Sequence, residues 1–135
     1  MKYCLLVVAA LVGCGGKSAV SSRIIHQLVF DLEYSSCVII GGVGITGKDN
    51  PAADAYKTLL RIAPDSVWVR LSYSEKPVVR MYAFEALLSK KSPDLERVKN
   101  RLKKDTATVC EIFGDVSMTS SIGELVSLAN HNAGE

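Results

Sequence analysis

The chain has 135 residues, 48% of them hydrophobic, and its 16 Lys and Arg against 14 Asp and Glu leave a net charge of +2. That length suits one domain, the mixed charge excludes wholesale disorder, and so small an imbalance draws in neither nucleic acid nor a membrane surface by long-range field. His26 and His131 lie far apart and in no ligand spacing, so the expectation is no metal and no other cofactor.

Lys2 supplies a positive flank, and Tyr3 to Val12 an apolar stretch ending at the small Gly13. A transmembrane helix needs about 20 apolar residues and a secretory core about 7 to 15, so this segment reads as a signal and not as a span. Leu11-Val12-Gly13-Cys14 resembles the lipobox of bacterial lipoproteins, in which a branched apolar residue and a small one precede a cysteine. The resemblance implies a signal peptide over 1–13, acylation of Cys14 with palmitate-class chains, and attachment to a membrane of the bacterial envelope through that anchor. Gly15, where an Asp would hold such proteins at the inner membrane, resembles the outer-membrane sorting pattern. An ordinary secretory signal and a buried N-terminal helix are the competing readings. Export disfavours nucleic acid as a partner.

From Gly15 to Ser21 the residues are small and polar, which suits a tether over 14–20 ahead of a domain over 21–135. Ser21 or Ser22 caps a helix whose stripe is Ile24, Ile25, Leu28, Val29 and Leu32. Cys4 belongs to the discarded segment. Cys37 and Cys110 remain, free to pair in an oxidising compartment or to stay buried thiols, and nothing in the sequence fixes the distance between them. Val38-Ile39-Ile40 suits a short strand, and Gly41, Gly42, Gly44 and Gly47 then make a loop. Asn50-Pro51 is an N-cap and first-turn pair for a helix carrying Ala52, Ala55, Tyr56, Leu59, Leu60 and Ala63.

Val67 to Tyr73 alternates like a strand and also fits one helical face; Asp65 or Ser66 as a cap favours a short helix. Pro77 opens a helix that is apolar nearly all round and so belongs in the middle of the domain. Ser92-Pro93 begins another with Leu95, Val98 and Leu102 as its stripe. Thr106 to Phe113 suits a strand or a short buried helix, and Ser121 with Glu124 is a capping box for a last helix to about Asn130.

Pro77, Val79, Arg80, Ala83, Ala86 and Leu87 resemble the second helix of a HEAT repeat, the likeness covering about residues 51 to 90. Proline starts such a helix, small alanines let a neighbour approach closely, and leucine fills the layer between helices. The resemblance implies that Arg80 binds a preceding carbonyl or carboxylate; Lys76 stands where the family usually has an acidic residue. No second copy follows at a fixed period, so the expected fold is mainly α: a compact HEAT-like helical domain with room for one short strand.

Gly42-Val43-Gly44-Ile45-Thr46-Gly47 has the spacing of a dinucleotide fingerprint, and Gly42 to Lys48 matches all but the end of a phosphate-binding Walker loop. Asp49 follows Lys48 where a hydroxyl residue would hold magnesium, Asn50-Pro51 delays the next helix, and no alternation of strands and helices promises a parallel sheet. A plain turn-forming loop is the stronger reading. Of the basic residues between Lys90 and Lys104, Arg97, Arg101 and Lys104 share a helix face that suits solvent, anionic headgroups or a partner's acidic patch. No Gly-x-Ser-x-Gly is present and no catalytic triad stands out, so an enzyme is not expected. The leading expectation is a non-catalytic, protein-binding envelope domain with an unknown envelope partner. Trp68, Arg80 and Tyr82 are its candidate contacts, because such residues are enriched at hot spots, and each also suits packing or turn support. The alternatives are a nucleotide-binding protein using the Gly42 to Lys48 loop and a structural tether at the bilayer.

Overall fold

A computed structural model describes residues 16–43 and 50–129. The segment expected to be a signal peptide, the lipidation expected at Cys14, Gly44 to Asp49 and His131 lie outside them. Helix α1 (Gly16–Glu33) begins ahead of the cap expected at Ser21 or Ser22, so the stretch read as tether is helical from Gly16. Once the stripe downstream has formed a helical nucleus, each added residue costs little, and Ser18-Ala19-Val20 does not break it. Leu32 is fully buried and Ile25, Leu28 and Val29 pack against the core, while Ile24 is left half exposed.

Strand β1 (Cys37–Val43) runs on through Gly41 and Gly42, the first two of the glycines expected to form a loop. Its register with the neighbouring strand shifts between Ile39 and Val43, and Gly41 and Gly42 lie in that irregularity, where glycine is ordinary within a strand. Helix α2 (Pro51–Ile62) starts as the sequence predicts: Asn50 Oδ1 accepts from the amides of Ala52 at 3.0 Å and Ala53 at 3.2 Å, and Pro51 sits in the first turn. The ambiguous segment forms helix α3 (Asp65–Leu71), but its cap position is Pro64, with no side-chain cap from Asp65 or Ser66.

Helix α4 (Pro77–Ser89) is the axis of the domain. Val79, Tyr82, Ala83, Ala86 and Leu87 are each fully buried, and the helix meets α1, α3, β1 and three of the four elements that follow it, the last strand being the exception. Burial on every side explains why it carries no apolar stripe. It ends in a Schellman motif: Ser92 N–H donates to Leu87 O at 3.0 Å, Lys91 N–H to Leu88 O at 3.1 Å, and Lys91 takes φ 50°. Helix α5 (Leu95–Leu102) begins two residues beyond Ser92-Pro93, which form a turn in which Ser92 Oγ accepts from Asp94 N–H at 3.3 Å.

Thr106 to Phe113 resolves as strand β2 (Thr108–Gly114), followed by a strand not expected from sequence, β3 (Val116–Ser121). Helix α6 (Ile122–Leu128) carries the expected capping box, with Ser121 Oγ accepting from Glu124 N–H and a Glu124 carboxylate oxygen accepting from Ser121 N–H. The described residues are thus mainly helical, six helices with one three-stranded sheet in place of a single strand.

The sheet has the order β1-β2-β3. β2 and β3 are antiparallel, with Thr108 opposite Ser121 and Phe113 opposite Val116 across a two-residue turn of Gly114 and Asp115. Gly114 at φ 61° supplies the left-handed first turn residue that matches strand twist. β1 and β2 are parallel, Cys37 opposite Cys110, with α2 to α5 as the crossover between them. This corrects the expectation that no parallel pairing would form. The pairing joins segments far apart in the chain, and local pattern does not register it.

Candidate functional site

On β2 the alternation of faces puts Val109 and Glu111 against the helical layer, both buried, while Cys110 and Ile112 are half buried on the other face. A carboxylate where the pattern calls for an apolar side chain breaks the local rule, and such breaks concentrate at functional sites. Glu111 is 6% exposed. It shares a groove of about 370 Å³ with Glu85, from one turn after Tyr82 on α4, between α4, α6 and the β2–β3 hairpin. Met81 and Leu125 belong to its walls, and its rim is Phe113, Met118 and Leu128, exposed by 51, 55 and 61%.

Neither carboxylate forms a salt bridge or hydrogen bond with a described residue. Burial, and then the charge of Glu111, push the Glu85 carboxyl up to about 7. Burial raises Glu111 as well. Burial first and the charge of Glu85 second lift the Tyr56 phenol above the ordinary range. Two apposed carboxylates in apolar walls favour either a held proton or an incoming cation.

The residues singled out in the sequence lie elsewhere. Trp68 and Tyr82 are fully buried, and Tyr56 bridges them, its ring 5.9 Å from Trp68 and 5.1 Å from Tyr82. Tyr82 Oη accepts from the Ile39 amide at 3.1 Å, which satisfies a donor of β1. Arg80 Nε donates to Asp105 at 2.8 Å and Nη1 to the carbonyls of Ser74 at 2.8 Å and Glu75 at 3.2 Å, so it clamps the turn before α4 to the segment entering β2. In this fold the two aromatic rings complete the core and the guanidinium, 13% exposed, is spent on the turn. Trp68, Arg80 and Tyr82 thus take the packing and turn-support roles that the sequence also offers for them.

The basic face is also largely committed. Arg97 pairs with Asp94 at 2.8 Å, Lys99 with Glu96 at 2.9 Å, and Arg101 donates to Ser72 while its guanidinium lies 3.8 Å from the centre of the Tyr73 ring. Lys104 remains exposed. His26 is exposed, and no cluster of metal-ligating side chains occurs among the described residues. Of the glycine motif, Gly42 and Val43 lie in β1 and the remainder falls outside the description. The first amides of α2, which would meet a phosphate, already bond to Asn50.

Cys37 and Cys110 form a disulfide with Cα atoms 4.5 Å apart, on the face of the sheet away from α4. This settles the alternative the sequence left open. No family model, curated protein or solved structure matches the chain.

Proposed function

We propose that the chain is a lipid-anchored protein of the bacterial envelope, held through Cys14 and preferably at the outer membrane, whose small domain binds another protein without catalysing a reaction. The observation that carries this reading is the Cys37–Cys110 cystine. Structural disulfides persist in oxidising compartments, which is where a lipobox precursor is delivered. Binding is favoured over turnover because the described lining of the groove offers two carboxylates and apolar walls, with no hydroxyl, thiol, imidazole, amide or cationic side chain beside them to complete a catalytic set. The half-exposed Phe113, Val116 and Met118 of the hairpin give a partner its contact area. Within this reading the helices over 51–90 are HEAT-like; Pro77 in the first turn, the buried Ala83 and Ala86, and the bonds of Arg80 to preceding carbonyls support it.

Growing cells with an alkyne fatty acid should label the wild type and leave Cys14→Ser unlabelled, while thiol alkylation without reductant should modify neither Cys37 nor Cys110. An unmodified Met1 terminus in the cytosol with both thiols free would overturn the placement. A photocrosslinker at Val116 should capture an envelope protein in native membranes, and Phe113→Asp should abolish the adduct; no adduct at all would leave only a tether at the bilayer.

One observation favours the nucleotide alternative: a glycine-rich segment lies between a strand and a helix that lead into a parallel strand pair. Against it stand the occupied amides at the start of α2 and the negative charge of Asp49. Millimolar nucleotide with magnesium should therefore leave the melting temperature unchanged, and a rise would revive that reading.

A further inference from the structure

We propose that the groove between α4, α6 and the β2–β3 hairpin is a lysine-binding site: Glu85 and Glu111 receive the ammonium of an apolar-flanked lysine on the partner protein, while Met81, Leu125 and Phe113 take its aliphatic stem. The inference rests on the protein-binding reading and adds the chemistry that selects the partner.

Charge complementarity is the first argument. Glu111 is more than nine-tenths buried and lines the groove without a described counter-ion, and Glu85 lines it from the opposing helix. Two like charges held in low-polarity surroundings leave a deficit that a single cation between them relieves. The walls say which cation. Apart from the two carboxylates the described lining carries no side chain with a polar group, so a hard metal ion would lack the six or so oxygen ligands it requires. A guanidinium holds its five donors in one rigid plane, so it could use both carboxylates only if they lay edge-on in that plane. An ammonium is a compact charge on a four-carbon apolar stem, and that is the distribution the groove offers. The rim decides between a free amine and a side chain. Phe113, Met118 and Leu128 stay more than half exposed around the opening, an area that a small amine leaves uncovered and a flanking polypeptide covers.

Two of the three methionines, Met81 and Met118, line the groove, so methyl-labelled methionine in the full chain reports its occupancy directly. The probes are the blocked pentapeptide Leu-Ala-Lys-Leu-Ala, its acetyl-lysine form and n-butylammonium, at pH 8. The lysine peptide should shift both methyl signals, and the acetyl-lysine peptide should bind at least about tenfold more weakly. The isosteric Glu85→Gln, Glu111→Gln double variant should lose the same factor while keeping its far-ultraviolet circular dichroism. Affinity should also fall at pH 5.5, where Glu85 holds its proton. Glu111 is the other titratable group lining the groove, and the Tyr56 phenol beside Glu85 stays protonated throughout.

Equal binding of the two peptides, undiminished binding by the double variant, or no shift at millimolar peptide would overturn the proposal. Butylammonium binding as tightly as the peptide would also overturn it, by making a small amine the occupant. If the Val116 crosslink forms but survives Glu85→Gln with Glu111→Gln, the domain binds protein and the lysine assignment alone fails.

Discussion

At the level of single residues, two backbone positions decide the sign of a substitution. Gly123 lies in the first turn of α6, where alanine would gain about 1 kcal/mol of helix propensity. A Cβ there would stand 2.6 Å from Lys103 O and 3.1 Å from Asp105 O, and both are main-chain atoms that a side-chain rotation cannot move. Overpacking of that kind costs about 1–3 kcal/mol, so Gly123→Ala should lower stability by about 1–2 kcal/mol in a urea titration. Gly123 N–H also donates to Asp105 O at 2.9 Å, a bond the forced shift would lengthen. Lys91 is the opposite case. It is exposed and holds φ 50° at the end of α4, a conformation that costs a residue with a Cβ about 1 kcal/mol or more. Lys91→Gly relieves that cost against a smaller loss of chain entropy, and should raise stability by about 0.5 kcal/mol. An unchanged or lower urea midpoint would show that the lysine is not strained there.

At the level of elements, what the sequence makes legible is what local chemistry fixes. Asn50-Pro51, Pro77, and Ser121 with Glu124 each satisfy or anticipate helix-end amides within a few residues, and α2, α4 and α6 begin where those signals put them. The sheet is harder because β1 meets β2 across a separation of 73 residues, as the paired cysteines record. Alternation alone does not tell the helical Val67 to Leu71 from the strand Thr108 to Gly114, since both are short and apolar. β3 did have a local signal: Gly114-Asp115 between Phe113 and Val116 is the two-residue hairpin pattern. The site was concealed for a related reason, because Glu111 reads as a buried anomaly only once the segment is known to be a strand. Residue type alone points to Trp68 and Tyr82 and says nothing of their exposure. Arg80 is the better guide, since its predicted bonds to preceding carbonyls are made and its contact with Asp105 ties α4 to the approach to β2. The ion pair is largely buried, so Arg80→Ala strands a carboxylate and two carbonyls; it should cost about 3 kcal/mol and lower the melting temperature by roughly 10 °C or more. A loss under about 1 kcal/mol would mean that water replaces the clamp.

For the molecule as a whole, the cystine and the carboxylate pair act on stability in opposite directions. The disulfide closes a loop spanning α2 to α5 with a sequence separation of 73 residues, and by loop entropy contributes about 4 kcal/mol that reduction should remove. The carboxylates draw on that reserve in a way that depends on pH. Glu85 releases its proton at about 7 in the folded chain, against an ordinary value of 4.5. Below 4.5 both states hold the proton and the folded state's preference for it is fully present; between 4.5 and 7 the unfolded chain gives it up while the folded chain keeps it. Stability therefore falls as pH rises through that window and levels off above it. Glu124 has the opposite sign, because its hydrogen bonds to Ser121 hold its carboxyl below the ordinary value, so the capping box contributes above that value and is lost as pH falls. Glu85→Gln isolates the first effect. It should flatten the decline between pH 5 and 7 and leave the protein more stable than wild type at pH 8, by about 1–2 kcal/mol after allowing for water in the open groove. Urea midpoints at pH 5 and pH 8 for the two proteins measure this, and equal declines in both would place the raised carboxyl elsewhere. A gain in stability accompanied by loss of lysine-peptide binding would show that the carboxylate is kept at a cost to the fold because a partner's charge completes it.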